Sequence, residues 1–396
     1  MPAPHFFATA PQALGIDPAK LDALVVRAEQ EVRDGLLPSA QLAVACGGRL
    51  VAMRTVGRVR HGGREAPATN DTLYAVFSCT KAITSAAAWV LLDEGRLRID
   101  ERVVDIIPEF GTYGKEVVTV EQLFTHTAGF PSAPFALLDW YDPARRVQRF
   151  ATWRLNWEPG SRFEYHPTST MWVLAHIIEC RSGVPYQQFV RTRIAQALGL
   201  DDLHVGVPRA LHDRVADIIH VGDRPTVEEL RARGFPNLAD GEVAETALQA
   251  FNLPEMREVP VPGGGGVTTA GDLALFYQAL LAGGRTYDGR AIWQAETIQM
   301  AREVRSGVLT DPIFRKRANR ALGVIIAGDA DRTYRGFGHT ASPAAFGHNG
   351  AGGQIAWADP DTGISFAYCT NGFDRDPVRQ ARRGVALSSL AAALLR

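Results

Sequence analysis

Leu73-Tyr74-Ala75-Val76-Phe77-Ser78-Cys79-Thr80-Lys81 leads straight into the apolar run Ala82–Glu94, and this junction decides how the chain is read. A helix that begins at Ser78 carries Lys81, three residues on, on the same face and within reach of the hydroxyl. A serine is a poor nucleophile until a base takes its proton. A lysine becomes such a base when desolvation and neighbouring positive charge depress its pKa. The start of the same helix adds oriented N–H groups and a field that favours a developing oxyanion. With 12 serines and four lysines in 396 residues, chance supplies only about 0.1 Ser-x-x-Lys spacings. A capping serine followed by a surface lysine would also account for the tetrapeptide taken alone, so the remainder of the chain has to decide.

Hydrophobic residues make up 46% of the chain and charged residues 21%, which suits one large composite domain or two ordinary ones and excludes a mainly disordered protein. The 42 basic and 43 acidic side chains nearly cancel, so nothing in the totals favours nucleic acid or an acidic membrane as partner. Only Lys20, Lys81, Lys115 and Lys316 are lysines; arginine carries the rest of the positive charge. Cys46, Cys79, Cys180 and Cys369 lie far apart without a CxxC pair and read as reduced thiols rather than a zinc site or a disulfide framework. No histidine pair has a metal-ligand spacing such as HExxH, so neither metal nor cofactor is expected. Met1-Pro2-Ala3-Pro4-His5-Phe6 lacks the charged and apolar regions of a secretory signal, and no run reaches a membrane-spanning length. The expectation is a cytoplasmic protein with no membrane contact.

Leu21, Leu24, Val25, Ala28 and Val32 recur at helical steps between Asp17 and Arg33, with Asp17 as the cap. Gln41–Ala45 and Leu50–Val56 form a hairpin around Gly47-Gly48. The other end mirrors this: Gln354–Ala358 and Ile364–Cys369 flank Asp359-Pro360-Asp361-Thr362-Gly363, and a helix follows from Pro377 to Leu395. The two ends therefore build one antiparallel sheet, with a helix-rich middle inserted. Helical runs there are Ala82–Glu94, Val120–Phe124, Thr170–Arg181, Tyr186–Leu198 and Asp272–Leu281. Between Phe130 and Trp157 seven aromatic residues crowd into a stretch that reads as irregular, a wall over a cleft with Phe130 and Trp157 as substrate contacts, or else the core of the inserted lobe.

Two further segments carry chemistry. Tyr165 lies in Pro159-Gly160-Ser161-Arg162-Phe163-Glu164-Tyr165-His166-Pro167, a turn that can deliver a phenol into a cleft, where beside a lysine it shuttles protons. Phe346-Gly347-His348-Asn349-Gly350-Ala351-Gly352-Gly353 runs into the Gln354 strand, and its glycines let a ligand approach the edge-strand backbone. In this order and spacing the three motifs resemble the serine β-lactamase and penicillin-binding-protein superfamily, for which SxxK is a signature. Most narrowly the chain resembles family VIII carboxylesterases, which share the class C β-lactamase fold. Leu123-Phe124-Thr125-His126-Thr127-Ala128-Gly129-Phe130 and Pro262–Asp272 agree, and the likeness runs from about residue 15 to the C-terminus.

The resemblance implies an α/β fold of the α+β type: an antiparallel sheet from both chain ends flanked by helices, over 1–75 and 262–396, and a mostly helical lobe over 76–261, together one catalytic domain. It implies Ser78 as acylated nucleophile, Lys81 as its base, Tyr165 as the third catalytic member, and the N–H groups of Ser78 and Ala351 as oxyanion hole. His348, Asn349 and Gly350 would meet substrate. The departures favour an esterase over a β-lactamase or peptidase. Pro167 stands where the family's YxN motif has the asparagine that holds an amide arm, and His348 replaces the lysine of KTG, leaving the carboxylate-recognising cation missing or pH-dependent.

Three decoys are set aside. Gly363-Ile364-Ser365-Phe366-Ala367 lacks the last glycine and the helix of a nucleophile elbow, so Ser365 is a strand residue. Gly263–Gly266 has no phosphate-loop partner and reads as a tight loop beside the cleft, while His126 reads as a loop stabiliser. Phe337-Gly338-His339 mimics the third motif, but no strand pattern follows it. The expected function is hydrolysis of small carboxylic esters of short acyl chain, with β-lactamase, D-peptidase, amidase or acyltransferase chemistry on the same residues, or a silent binding protein, as alternatives that acylation and turnover assays separate.

Overall fold

The computed structural model describes residues 1–235, 237–238 and 244–395. Its main sheet has seven strands: β1 (Ser39–Cys46), β2 (Arg49–His61), β3 (Arg64–Pro67), β4 (Ile325–Ile326), β5 (Phe346–Gly347), β6 (Ile355–Asp359) and β7 (Ile364–Thr370), in the order β3-β2-β1-β7-β6-β5-β4. The two ends of the chain meet at its centre, where β1 and β7 pair antiparallel from Ala40↔Thr370 to Cys46↔Ile364. Both strands are buried on both faces, and their alternation assigns the faces. Leu42 and Val44 with Ile364, Phe366 and Tyr368 pack under α1 (Pro18–Arg33) and the C-terminal helix, here α7 (Pro377–Ala392). The opposite face offers the small side chains Ala43, Ala45, Ala367 and Cys369 to α6 (Ala270–Leu281), which therefore lies close to the sheet. Gln278 fastens α6 by donating to Ala45 O at 2.9 Å and to Ser365 Oγ at 3.0 Å, so Ser365 is an interior strand residue.

The helical part centres on α2 (Thr80–Asp93), in which every residue from Thr80 to Leu91 is buried. A helix without a polar face needs neighbours all round; α5 (Ser169–Ser182), the 186–195 run and the short helix Ala295–Ala301 provide them, and α3 (Val120–Thr125) packs on α5 in turn. The Tyr186–Leu198 run is helical with a π-turn at Arg191–Ala195. The C-terminal helix stops at Ala392 rather than continuing to Leu395. No helix among the described residues is long and apolar enough to cross a membrane.

The Phe130–Trp157 segment corrects the sequence-based expectation. It is not an irregular wall: Leu137–Tyr141 forms a 3₁₀ turn and α4 (Pro143–Thr152) a helix, whose cap Asp142 accepts from the N–H groups of Ala144 at 3.0 Å and Arg145 at 3.2 Å. Phe130 and Phe150 are fully buried, Trp140 and Trp153 nearly so, and Phe135 stacks on Trp172 of α5 with centroids 4.4 Å apart. Phe130, Phe135, Trp140, Phe150 and Trp153 belong to the core of this part of the molecule, whereas Tyr141 is exposed and Trp157 half-buried. Helical periodicity was masked because a charged residue takes an inward position: Arg146 pairs with Glu179 at 2.6 Å and lies over the Trp140 ring at 4.1 Å.

Candidate active site

Ser78 is presented by a strained turn. Tyr74–Ala75 pairs with Gly266–Thr268 in a small second sheet, and Phe77–Cys79 makes a 3₁₀ turn before α2. Phe77 has a φ of 43°, a left-handed conformation that costs an aromatic residue on the order of 1–3 kcal/mol. Its ring is wedged edge-on between Phe251 and Phe373 at 5.2 and 5.3 Å, which holds the turn in place. The next side chain, Ser78, is thereby turned into a cavity of about 1160 Å³ that Tyr165, Arg320, His348, Asn349, Gly350 and Ala351 also line.

The three residues read as a catalytic set meet there. Lys81 Nζ lies 3.2 Å from Ser78 Oγ, and the Tyr165 hydroxyl donates to the same oxygen at 2.8 Å. Lys81 also donates to the carbonyls of Pro167 and Gly263, each at 2.7 Å. Two of its hydrogens are thus engaged, and the remaining position on the nitrogen, a lone pair in the neutral amine, faces Ser78. Burial pushes the Lys81 ammonium below its ordinary pKa, Tyr165 opposes this, and the positive charge of Arg320 adds to the depression. Lys115 shows the contrast. It too is buried and its pKa is pushed down by burial to about 8, but its ammonium only ties loops together, through Thr112 and Trp153.

The glycine-rich loop and Pro167 are more than neighbours of the cleft, because their carbonyls hold the lysine. A Cβ at Gly263 would sit 2.8 Å from Pro167 O and 3.3 Å from Lys81 Nζ. His126 ends α3 in a left-handed conformation, accepts the His166 N–H at Nδ1 (3.2 Å) and packs against the Tyr165 ring at 4.8 Å, so it steadies the loop and the phenol together.

Both look-alike segments reach the cavity wall, but only His348 lies next to the Ser78 set, its ring 6.1 Å from that of Tyr165, while His339 is docked on the C-terminal helix by its N–H to Ser389 Oγ at 2.9 Å. Gly350 is required by contact: its Cβ would fall 2.2 Å from Val76 O, so the turn presses against the residues leading to Ser78. Among the described residues no acceptor meets the Ala351 N–H. Asn349 packs on Gly336 at the cavity edge.

Of the two outcomes the sequence left open at His348, a missing cation or a pH-dependent one, the surroundings of the ring favour the first. Burial, then Arg320 and Lys81, hold it well below the ordinary histidine pKa, and its Nδ1 is 2.7 Å from Asn349 O. With Nδ1–H donating there, the Nε2 lone pair accepts from Arg320 at 3.4 Å. The fixed cation of the site is Arg320, whose guanidinium lies over the Phe163 and Tyr165 rings at 5.3 and 5.2 Å. Nothing in the sequence singled it out, since a lone arginine outside any motif carries no local signal in an arginine-rich chain. Phe130 and Trp157 do not line the cavity: the former is buried behind His166, whose Nε2 accepts its N–H at 3.1 Å, and the latter packs against His166 and Arg162.

The sequence matches the Beta-lactamase family along residues 25–391. The chain belongs to that family. A penicillin-binding-protein homologue from Caulobacter crescentus superposes with a TM-score of 0.78 at 31% identity, over 96% of this chain and 99% of that one. A family VIII carboxylesterase gives a TM-score of 0.78 at 27% identity, over 96% and 99% of the two chains. Esterase/beta-lactamase LipL from Mycobacterium tuberculosis is 29% identical over 77% of this chain and 70% of its own length. The family resemblance read from the three motifs is correct, as is the β-lactamase-type fold, and the protein is a serine hydrolase of the Beta-lactamase family.

Proposed function

We propose that the protein hydrolyses carboxylic esters through an acyl-enzyme on Ser78. The observation that carries this is the shared oxygen: Ser78 Oγ is within hydrogen-bond reach of both Lys81 Nζ (3.2 Å) and the Tyr165 hydroxyl (2.8 Å). Neutral Lys81 takes the Ser78 proton as Oγ bonds to the ester carbonyl carbon. The Ser78 and Ala351 N–H groups receive the resulting oxyanion. Collapse breaks the bond to the alcohol, which leaves with the proton returned from Lys81 through Tyr165. Water then adds to the acyl-enzyme by the reverse route, releasing the acid and restoring Ser78.

Pro167 favours an ester over a β-lactam or peptide. It offers no side-chain amide to a substrate, and its carbonyl is engaged by Lys81. A family VIII carboxylesterase and Esterase EstB among similar proteins support the ester reading, while relatives named D-alanyl-D-alanine carboxypeptidase fit the alternative. Short-chain aryl esters are the expected model substrates, and the cavity has ample room for them. The test is intact-protein mass spectrometry with p-nitrophenyl butyrate and, separately, a cephalosporin, with p-nitrophenol release followed in parallel. Ester turnover with little cephalosporin hydrolysis, both abolished in folded Ser78→Ala, is the expected result. Rapid cephalosporin turnover would establish the β-lactamase alternative, and activity retained in Ser78→Ala would refute the nucleophile.

A further inference from the structure

Ser78 and the loop that bears Ala351 lie far apart in sequence, so their separation in the cleft is set by whatever joins α2 to the third motif. Gly350 presses against Val76 O, and Ala351 packs beside Ala75, Phe77 and Phe373. Contacts of this kind limit how closely the two elements approach, but they do not fix one against sliding past the other. A directional contact comes from Cys79, the residue after the nucleophile. Its thiol donates to the His348 carbonyl at 3.0 Å, and among the described residues this is the one hydrogen bond between residues 76–81 and 346–353.

Cys79 is fully buried and stands outside the cavity lining. Burial raises its pKa well above the ordinary thiol value, so the sulfur keeps its hydrogen and remains a donor. A thiol is a weak donor, yet no other donor meets the His348 carbonyl among the described residues, and an unpaired buried carbonyl is costly. The His348 N–H donates to Ala356 O at 2.9 Å, so this residue is held by β6 on one side and by α2 on the other. Three residues on, Ala351 sits in the turn that Gly350 N–H closes on Gln354 O at 2.9 Å.

We propose that Cys79 is a positioning residue for the oxyanion hole: its thiol sets the third-motif loop against α2, so that the Ala351 and Ser78 N–H groups converge on one point. This role rests on the ester-hydrolase reading of Ser78. Negative charge reaches the carbonyl oxygen only as Ser78 Oγ adds to the ester. A small displacement of one donor therefore weakens the transition state far more than the bound ester. Alanine at 79 would leave the His348 carbonyl unpaired, whereas serine would keep a donor there on a slightly shorter arm.

The test compares the parent protein, Cys79→Ala and Cys79→Ser in thermal melts, in turnover of p-nitrophenyl butyrate, and in inhibition by butylboronic acid. The boron of that inhibitor bonds to the serine oxygen, and the tetrahedral adduct places an oxygen in the hole. Cys79→Ala should lower kcat roughly 10-fold with KM within about twofold, and weaken the boronate by the same factor as kcat. Cys79→Ser should return both to within about threefold of the parent. The infrared difference spectrum between parent and Cys79→Ala should show an S–H stretch below the frequency of a free thiol. A folded Cys79→Ala with kcat and boronate affinity within twofold of the parent overturns the role. So does a fall in kcat without loss of boronate affinity, which would make Cys79 a support for something other than the hole. If Cys79→Ala does not fold, Cys79→Ser decides: an S–H band of the parent at the free-thiol frequency against Cys79→Ser, or equal loss of kcat and KM in that variant, overturns the role. If the parent hydrolyses no ester, the esterase reading fails, and the rate at which a fluorophosphonate labels Ser78 decides Cys79. Labelling roughly 10-fold slower in Cys79→Ala supports the role, an equal rate overturns it, and no labelling of the parent overturns it together with the nucleophile.

Discussion

Gly263→Ala is a sharp test of how the lysine is held, because it adds one methyl group and little else. Gly263 does not have a positive φ, so alanine brings no backbone strain of the left-handed kind. Its Cβ would lie 2.8 Å from Pro167 O, about 0.6 Å short of ordinary contact, and 3.3 Å from Lys81 Nζ. Either the Pro167 carbonyl or the 263 loop must therefore move by roughly half an ångström, and both supply 2.7 Å acceptors to Lys81. Displacing a base by about an ångström costs up to about 100-fold in rate, so kcat on p-nitrophenyl butyrate should fall roughly 10- to 100-fold. KM should change much less, and a thermal melt should show a folded protein. A folded variant whose kcat stays within twofold of the parent would refute the idea that these two carbonyls position the base.

Three other outcomes are expected. Lys81 must be neutral to accept the Ser78 proton, so kcat/KM rises with pH through a pKa below the ordinary lysine value; Arg320→Gln removes one depressing charge and should move that limb to higher pH, and a shift to lower pH contradicts this. Tyr165→Phe deletes the bond to Ser78 Oγ while keeping the ring on His126, so a 10²- to 10³-fold fall in kcat with an unchanged melting temperature is expected, and a fall below threefold speaks against proton transfer by the phenol. Asp142→Ala removes a helix cap in the segment that lies away from the cavity, so stability to urea should drop by about 1 kcal/mol with kcat/KM preserved; a loss of activity larger than the loss of folded protein would return that segment to the substrate wall.

What the sequence made legible was local. The helix cap at Asp17, the two hairpins and the Ser78/Lys81 spacing each depend on residues a few positions apart, and each is found where its pattern put it. Tyr165 could be picked out because its turn has its own punctuation. Arg320 could not, since its meaning comes from His348 and Tyr165, distant in sequence. The role of Gly263 and Pro167 was hidden for a related reason: carbonyl groups belong to every residue, and only the fold says which ones face a lysine. The Phe130–Trp157 segment misled because aromatic residues crowd cores and clefts alike, and Arg146 occupied an inward position where a pattern search expects an apolar side chain.

The pairing of β1 with β7 has a consequence for biosynthesis. Ala40 hydrogen-bonds into a ladder with Thr370, so the first strand leaves the ribosome long before its central partner has been translated. The turn that bears Ala351 is made just ahead of that partner, long after Ser78, so the two sides of the cleft come together late. Such long-range closure is slow and leaves a strand edge open to improper pairing. A message cut short before codon 364 accordingly yields a product in which β1 lacks its central partner and offers an exposed sheet edge for quality control to recognise.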